Sequence, residues 1–134
     1  MDVVGEFQRL KDDDMIDALS SVWALVACVD HDLVPKEVSK FFVALNGPGA
    51  LKEIISPELD HSIRDMTDLM LKDYEKGLQY AIEHMDKVRD DKEKVNLLLA
   101  LAQKAIVADE DVKESEEAIM KKICEVLKVN PEEY

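Results

Sequence analysis

Two short stretches of this chain carry the same three acids at the same spacing. Asp30, Asp32 and Glu37 stand in VDHDLVPKE, and Asp109, Asp111 and Glu116 stand in ADEDVKESE, 79 positions further on. Aspartates at i and i+2 of a non-helical turn can aim at a common point. A glutamate five residues later falls early in the following helix, where free N–H groups and the helix dipole favour negative charge. Two carboxylates about 4 Å apart repel by about 4 kcal/mol at an effective dielectric of 20. Six of them brought together therefore need a cation, raised pKa values or water between them. Hard oxygen donors of this kind suit Ca²⁺, Mg²⁺ or Mn²⁺. The spacing is not that of an EF-hand, since the sixth loop position is not glycine and the twelfth is not glutamate. A second reading stands beside the metal site: each aspartate ends or caps a helix in solvent, and each glutamate completes a capping box.

The elements that must position these acids are helices. Met1 to Leu10 offers Val3, Val4, Phe7 and Leu10 as one short stripe. Asp12-Asp13-Asp14 supplies N-caps for a helix carrying Met15, Ile16, Leu19, Val22, Trp23, Val26 and Val29, which ends at Asp30-His31-Asp32. Pro35 opens the next helix, with Val38, Phe41, Phe42 and Leu45, and Asn46-Gly47-Pro48-Gly49 stops it. A short helix over Ala50 to Ile55 precedes the start signal Ser56-Pro57-Glu58 and a helix with Leu59, Ile63, Met66, Leu69 and Met70. A break at Lys72-Asp73 lets Asp73 cap a helix through Leu78, Ala81, Ile82 and Met85. The charged segment Asp86 to Lys94 holds a turn. Val95 to Ala108 is apolar around most of its circumference, so it is expected to be the core helix. The last helix carries Ala118, Ile119, Ile123, Val126 and Leu127 before Asn130-Pro131.

The acidic repeat extends into these helices. Leu19, Val22, Trp23 and Val26 fall on Leu98, Leu101, Ala102 and Ala105, and Phe41, Ala44 and Leu45 fall on Met120, Ile123 and Cys124. Few identities are shared beyond the acids, but the apolar register agrees. The chain reads as two pseudo-repeated helix–acidic turn–helix hairpins. The expected fold is all-α: one domain over residues 1–134, an irregular helical bundle.

Composition narrows the function. The net charge of −13 repels phosphate backbones and anionic headgroups, so neither nucleic acid nor direct membrane-surface binding is expected, and cations and basic protein partners are favoured. The apolar runs fall far short of the ~20 residues of a membrane span, so direct membrane insertion is not expected either. The acidity also serves solubility alone. Four glycines and four prolines are too few for a turn-rich β-fold. The N-terminal stretch lacks the charged and apolar regions of a signal peptide, and the two cysteines, Cys28 and Cys124, sit in apolar helical runs. Both points read as a cytoplasmic protein with buried thiols.

The turn ADEDV followed by Glu116, after a Leu/Ala-rich helix, resembles the tellurite-resistance TerB-like family. The family pattern is Ala-Asp-Gly-x-apolar-x-x-x-Glu, usually in both halves. Ala108, Asp109, Val112 and Glu116 match it in the second half, and Asp30, Leu33 and Glu37 in the first. The closing LKVNPEEY is similar to the family's end. The family glycine is replaced by His31 and by Glu110, where a left-handed turn costs more than at glycine. The resemblance implies a compact all-helical domain, an irregular bundle of about seven helices, with an acidic metal site. It also implies a cytoplasmic role beside membrane proteins in tellurite and stress resistance, and a relation to domains of membrane-linked J-protein co-chaperones.

Other groupings point to no reaction. Glu58-x-x-His61 has half the spacing of a di-iron site, without the second pair, and reads as a solvated helix start. His31 reads as an exposed turn residue, with a metal ligand beside Asp30 and Asp32 as the alternative, and His84 is placed beside Glu83 on a polar face. Trp23 reads as core with an indole N–H that needs a partner. No P-loop, GxGxxG or Ser/Cys/His grouping occurs. The sequence therefore predicts a non-enzymatic TerB-like domain binding a divalent cation or a basic partner through its acidic turns. The alternative is a helical protein-interaction adaptor with no metal site.

Overall fold

The computed structural model describes residues 2–28, 50–108 and 116–127. Among these residues the chain is all-α, with no strand: α1 (Val3–Leu10), α2 (Asp13–Ala27), α3 (Ala50–Ile54), α4 (Pro57–Lys72), α5 (Tyr74–Asp86), α6 (Lys92–Ala108) and α7 (Glu116–Leu127). The helix proposed for Pro35 to Leu45 lies outside the described residues.

Local chemistry sets the helix starts. Asp2, Asp12, Ser56 and Asp73 each accept a hydrogen bond from the backbone N–H three residues on, at 2.8–3.2 Å. Each satisfies one of the donors that a helix start leaves unpaired. Asp73 both ends α4 and opens α5, so two helices meet at a single residue. α6 begins at Lys92, three residues before the expected Val95, because Asp91 accepts from the Lys94 N–H at 3.3 Å. In the charged turn before it, Val88 is buried and plugs the core.

The centre of the molecule is shared. α6 is buried as its composition predicts, through Val95, Leu97, Leu98, Leu99, Leu101, Ala102 and Ala105. α2 lies at least as deep and packs against α4, α5, α6 and α7. Its buried run from Ala18 to Val26 includes Ser20 and Ser21. Their hydroxyls donate to the carbonyls of Ile16 and Asp17 at 2.7 and 2.8 Å. Back-bonding of this kind lets a polar stripe enter a core without an unpaired donor. Full burial of each large apolar side chain contributes about 1.5–3 kcal/mol.

Two cross-helix contacts fix direction. The ammonium of Lys94 meets Asp12 at 2.6 Å, and the Trp23 indole N–H donates to the Leu101 carbonyl at 3.1 Å. Contacts advance along both helices together, so α2 and α6 run the same way. By the same reasoning α5 runs against α2: His84, late in α5, faces Asp17, early in α2, while Tyr74 at the start of α5 feels the Cys28 thiol. α4 and α5 approach closely at Gly77, where a Cβ would stand 2.6 Å from Met70 Cγ and 2.9 Å from Met70 Cα. Among the described residues no helix is long and apolar enough to cross a membrane.

Candidate functional site

Of the six predicted ligands, Asp30, Asp32, Glu37, Asp109 and Asp111 lie outside the described residues. Glu116 is the first residue of α7, the helix-opening position expected for it. What the structure supplies is the framework from which the two acidic stretches depart. α2 closes at Cys28, whose N–H donates to the Ala24 carbonyl at 2.9 Å, and α6 closes at Ala108.

The Trp23–Leu101 bond gives a common level from which to measure both exits. At about 1.5 Å per residue, Cys28 lies roughly 7.5 Å beyond it and Ala108 roughly 10.5 Å beyond it. Since α2 and α6 run the same way, both exits face one end of the molecule at nearly one height. Sequence could propose the indole's need for a partner. It could not name Leu101, 78 residues away.

Burial sets the state of the two thiols. Burial pushes the Cys28 thiol up to about 12 and raises that of Cys124. Both cysteines are free and buried, as their apolar surroundings predict. A thiol held protonated is a poor nucleophile and a poor metal ligand. The Tyr74 hydroxyl is also raised, first by burial and then by its electrostatic coupling to Cys28 and Glu75. At the opposite end, Asp12 is held below the usual carboxylate range by the Lys94 ammonium and the Met15 N–H. Lys94 is raised in turn by Asp12. Among the described residues no three His, Cys, Asp or Glu side chains converge as a metal would require.

A tellurite resistance protein TerB family model matches residues 16–134. The chain belongs to the TerB family. The match takes in both acidic stretches and all six carboxylates of this TerB-family chain, and it leaves out α1 and the opening of α2. No curated protein and no solved structure matches the chain.

One feature of the fold was missed in the sequence. His84, expected on a polar face, is only 14% exposed in its side chain and sits against α2. Its Nδ1 is 3.7 Å from an Asp17 carboxylate oxygen, is itself buried, and makes no hydrogen bond. A signal was present: His84 is seven residues after Gly77 and three after Ala81, both buried. The neighbouring Glu83 says little, because adjacent helix residues point about 100° apart.

Proposed function

We propose that this TerB-family domain binds a divalent cation, Ca²⁺, Mg²⁺ or Mn²⁺, between its two acidic stretches, through Asp30, Asp32, Glu37, Asp109, Asp111 and Glu116. The observation that carries the reading is the parallel course of α2 and α6, which sends both stretches out from one end of the molecule. The donor chemistry fits: six carboxylates offer hard oxygens and no thiolate or imidazole of their own. When bound, the cation supplies charge neutralisation and a cross-link between the two hairpins.

The role so assigned is non-enzymatic. The domain serves in the cytoplasm as a cation-dependent surface for a protein partner, basic or membrane-associated, within a tellurite or stress response. The two buried, protonated thiols agree with a role that involves no covalent chemistry. The second reading is an adaptor without metal. His31 and Glu110 at the two family glycine positions favour it, since they change the turn that would shape the ligands.

Thermal unfolding separates the two. A ligand that binds only the native state adds RT ln(1 + [L]/Kd), about 2.7 kcal/mol at a hundredfold excess over Kd. The melting temperature should rise with Ca²⁺, Mg²⁺ or Mn²⁺ over a chelator control, and Asp30→Asn combined with Asp109→Asn should abolish the rise. No response to any of the three metals, with the double variant more stable than the parent, would leave the adaptor reading.

A further inference from the structure

A second surface lies along α2, ahead of its exit at Cys28. A cleft of about 490 Å³ opens between α2, α4 and α5, lined by Asp17, Ser20, Ser62, Asp65, Met66, Leu69, Tyr80 and His84. Asp17 and Ser20 precede Cys28 by 11 and 8 residues. That is about 12–17 Å along the helix from the α2 exit.

Three observations give this cleft its chemistry. Tyr80 is 50% exposed, the one large hydrophobic residue left open to solvent among the described residues. Its ring meets the His84 ring edge to face, at 4.7 Å between centroids, so its position is fixed. Among the described residues, neither carboxylate of the cleft meets a lysine or arginine. Asp17 has His84 at 3.7 Å, too far for a hydrogen bond, and Asp65 has His61 at 3.2 Å; each histidine is charged only when protonated. By contrast, Asp12, Asp60, Asp86 and Glu93 each meet a lysine or arginine. In the Asp17–His84 pair, the imidazole Nδ1 is buried and makes no hydrogen bond.

We infer that this cleft docks an arginine-bearing segment of a basic protein partner. A guanidinium matches the site better than an ammonium: its planar fork bonds carboxylates and its face stacks on an aromatic ring. Met66 and Leu69 give the arginine stem and its apolar neighbours a surface to cover. The net charge of −13 draws such a segment in, and the cleft fixes where it lands. The site does not depend on the cation-binding reading, and the two fail separately.

The test is fluorescence anisotropy at about 0.15 M salt, where long-range attraction is screened beyond about 8 Å. The probe is a labelled nine-residue peptide of alternating arginine and leucine; its partner probe carries citrulline, the neutral isostere, in place of each arginine. The arginine peptide should bind and the citrulline peptide should lose about tenfold or more, as expected when charge-assisted bonds are removed. Asp17→Asn with Asp65→Asn should weaken the arginine peptide by about tenfold, and Tyr80→Ala, at an exposed position, by about threefold to tenfold. Asp90→Asn with Glu125→Gln removes the same charge from exposed sites outside the cleft and should change binding by less than about twofold. Equal weakening by the two charge pairs, or equal binding of the citrulline peptide, overturns the proposal. So does loss of binding in Asp30→Asn with Asp109→Asn, which would move the peptide to the acidic end.

Discussion

Helices α2 and α6 occupy equivalent places in the 79-residue repeat, yet they are buried by different means. α6 is apolar by composition, with leucine and alanine at nearly every inward position. α2 reaches the same depth with two serines and a tryptophan, and each polar atom is matched: the hydroxyls by the helix's own carbonyls, the indole by a carbonyl of α6. Where α2 has Trp23 the repeat gives α6 Ala102, the residue next to the accepting carbonyl. Large against small at that level lets the helices close without a void or a clash. The repeat has thus kept register while dividing volume unequally. The joint that sets the exits of α2 and α6 at one end depends on that inequality.

The largest blow to this asymmetry is Trp23→Ala. Loss of a fully buried aromatic should cost about 3–5 kcal/mol in urea unfolding. Trp23→Phe keeps most of the volume and removes only the donor, so about 0.5–1.5 kcal/mol is expected from the lost bond, plus any residual cavity. A Trp23→Phe protein as stable as the parent would mean that packing alone joins the two helices. Ala102→Leu attacks from the other side and should cost about 1–3 kcal/mol by overfilling. Combined with Trp23→Ala, that cost should shrink. Strict additivity of the two changes would show that the positions do not share space.

The smallest effect tests the other contact between the pair, Asp12 with Lys94. Folding lowers the Asp12 carboxyl, so its contribution is fully present above the unfolded value, about pH 3.9, and is lost as pH falls through the lower folded value. Asn is as good an N-cap as Asp, so Asp12→Asn isolates the charge. The stability difference between parent and variant should be level from pH 7 down to about pH 5 and fade below about pH 4. A difference that persists at pH 2 would assign it to capping geometry instead.

Much of this architecture was legible because its causes are local. Asp12, Ser56 and Asp73 announce helix starts through bonds spanning three residues, and the apolar period of α2, α4 and α6 marks the faces that are buried. The family, too, could be read from the acids and their spacing, and its model spans residues 16–134. What escaped depends on contacts between distant parts. α2 lies as deep as α6, the expected core helix, partly through Ser20 and Ser21, whose backbone partners a linear pattern does not show. Val88 was hidden in a charged segment and His84 behind its neighbour Glu83. The common direction of α2 and α6 rests on contacts 82 and 78 residues apart, for which a linear pattern has no signal.

That separation has a kinetic consequence. Closing a loop of this length is entropically slow, whereas α4 and α5 meet across one residue at Asp73 and lock at Gly77. During refolding the α4–α5 hairpin should therefore form early and the Trp23–Leu101 joint late. Destabilisation at Trp23 would then speed unfolding and leave the folding rate nearly untouched. A slowed folding limb in Trp23→Ala would place the joint in the nucleus instead. If it is late, the two acid-bearing exits are the last part of the native end to be assembled and the first to come apart.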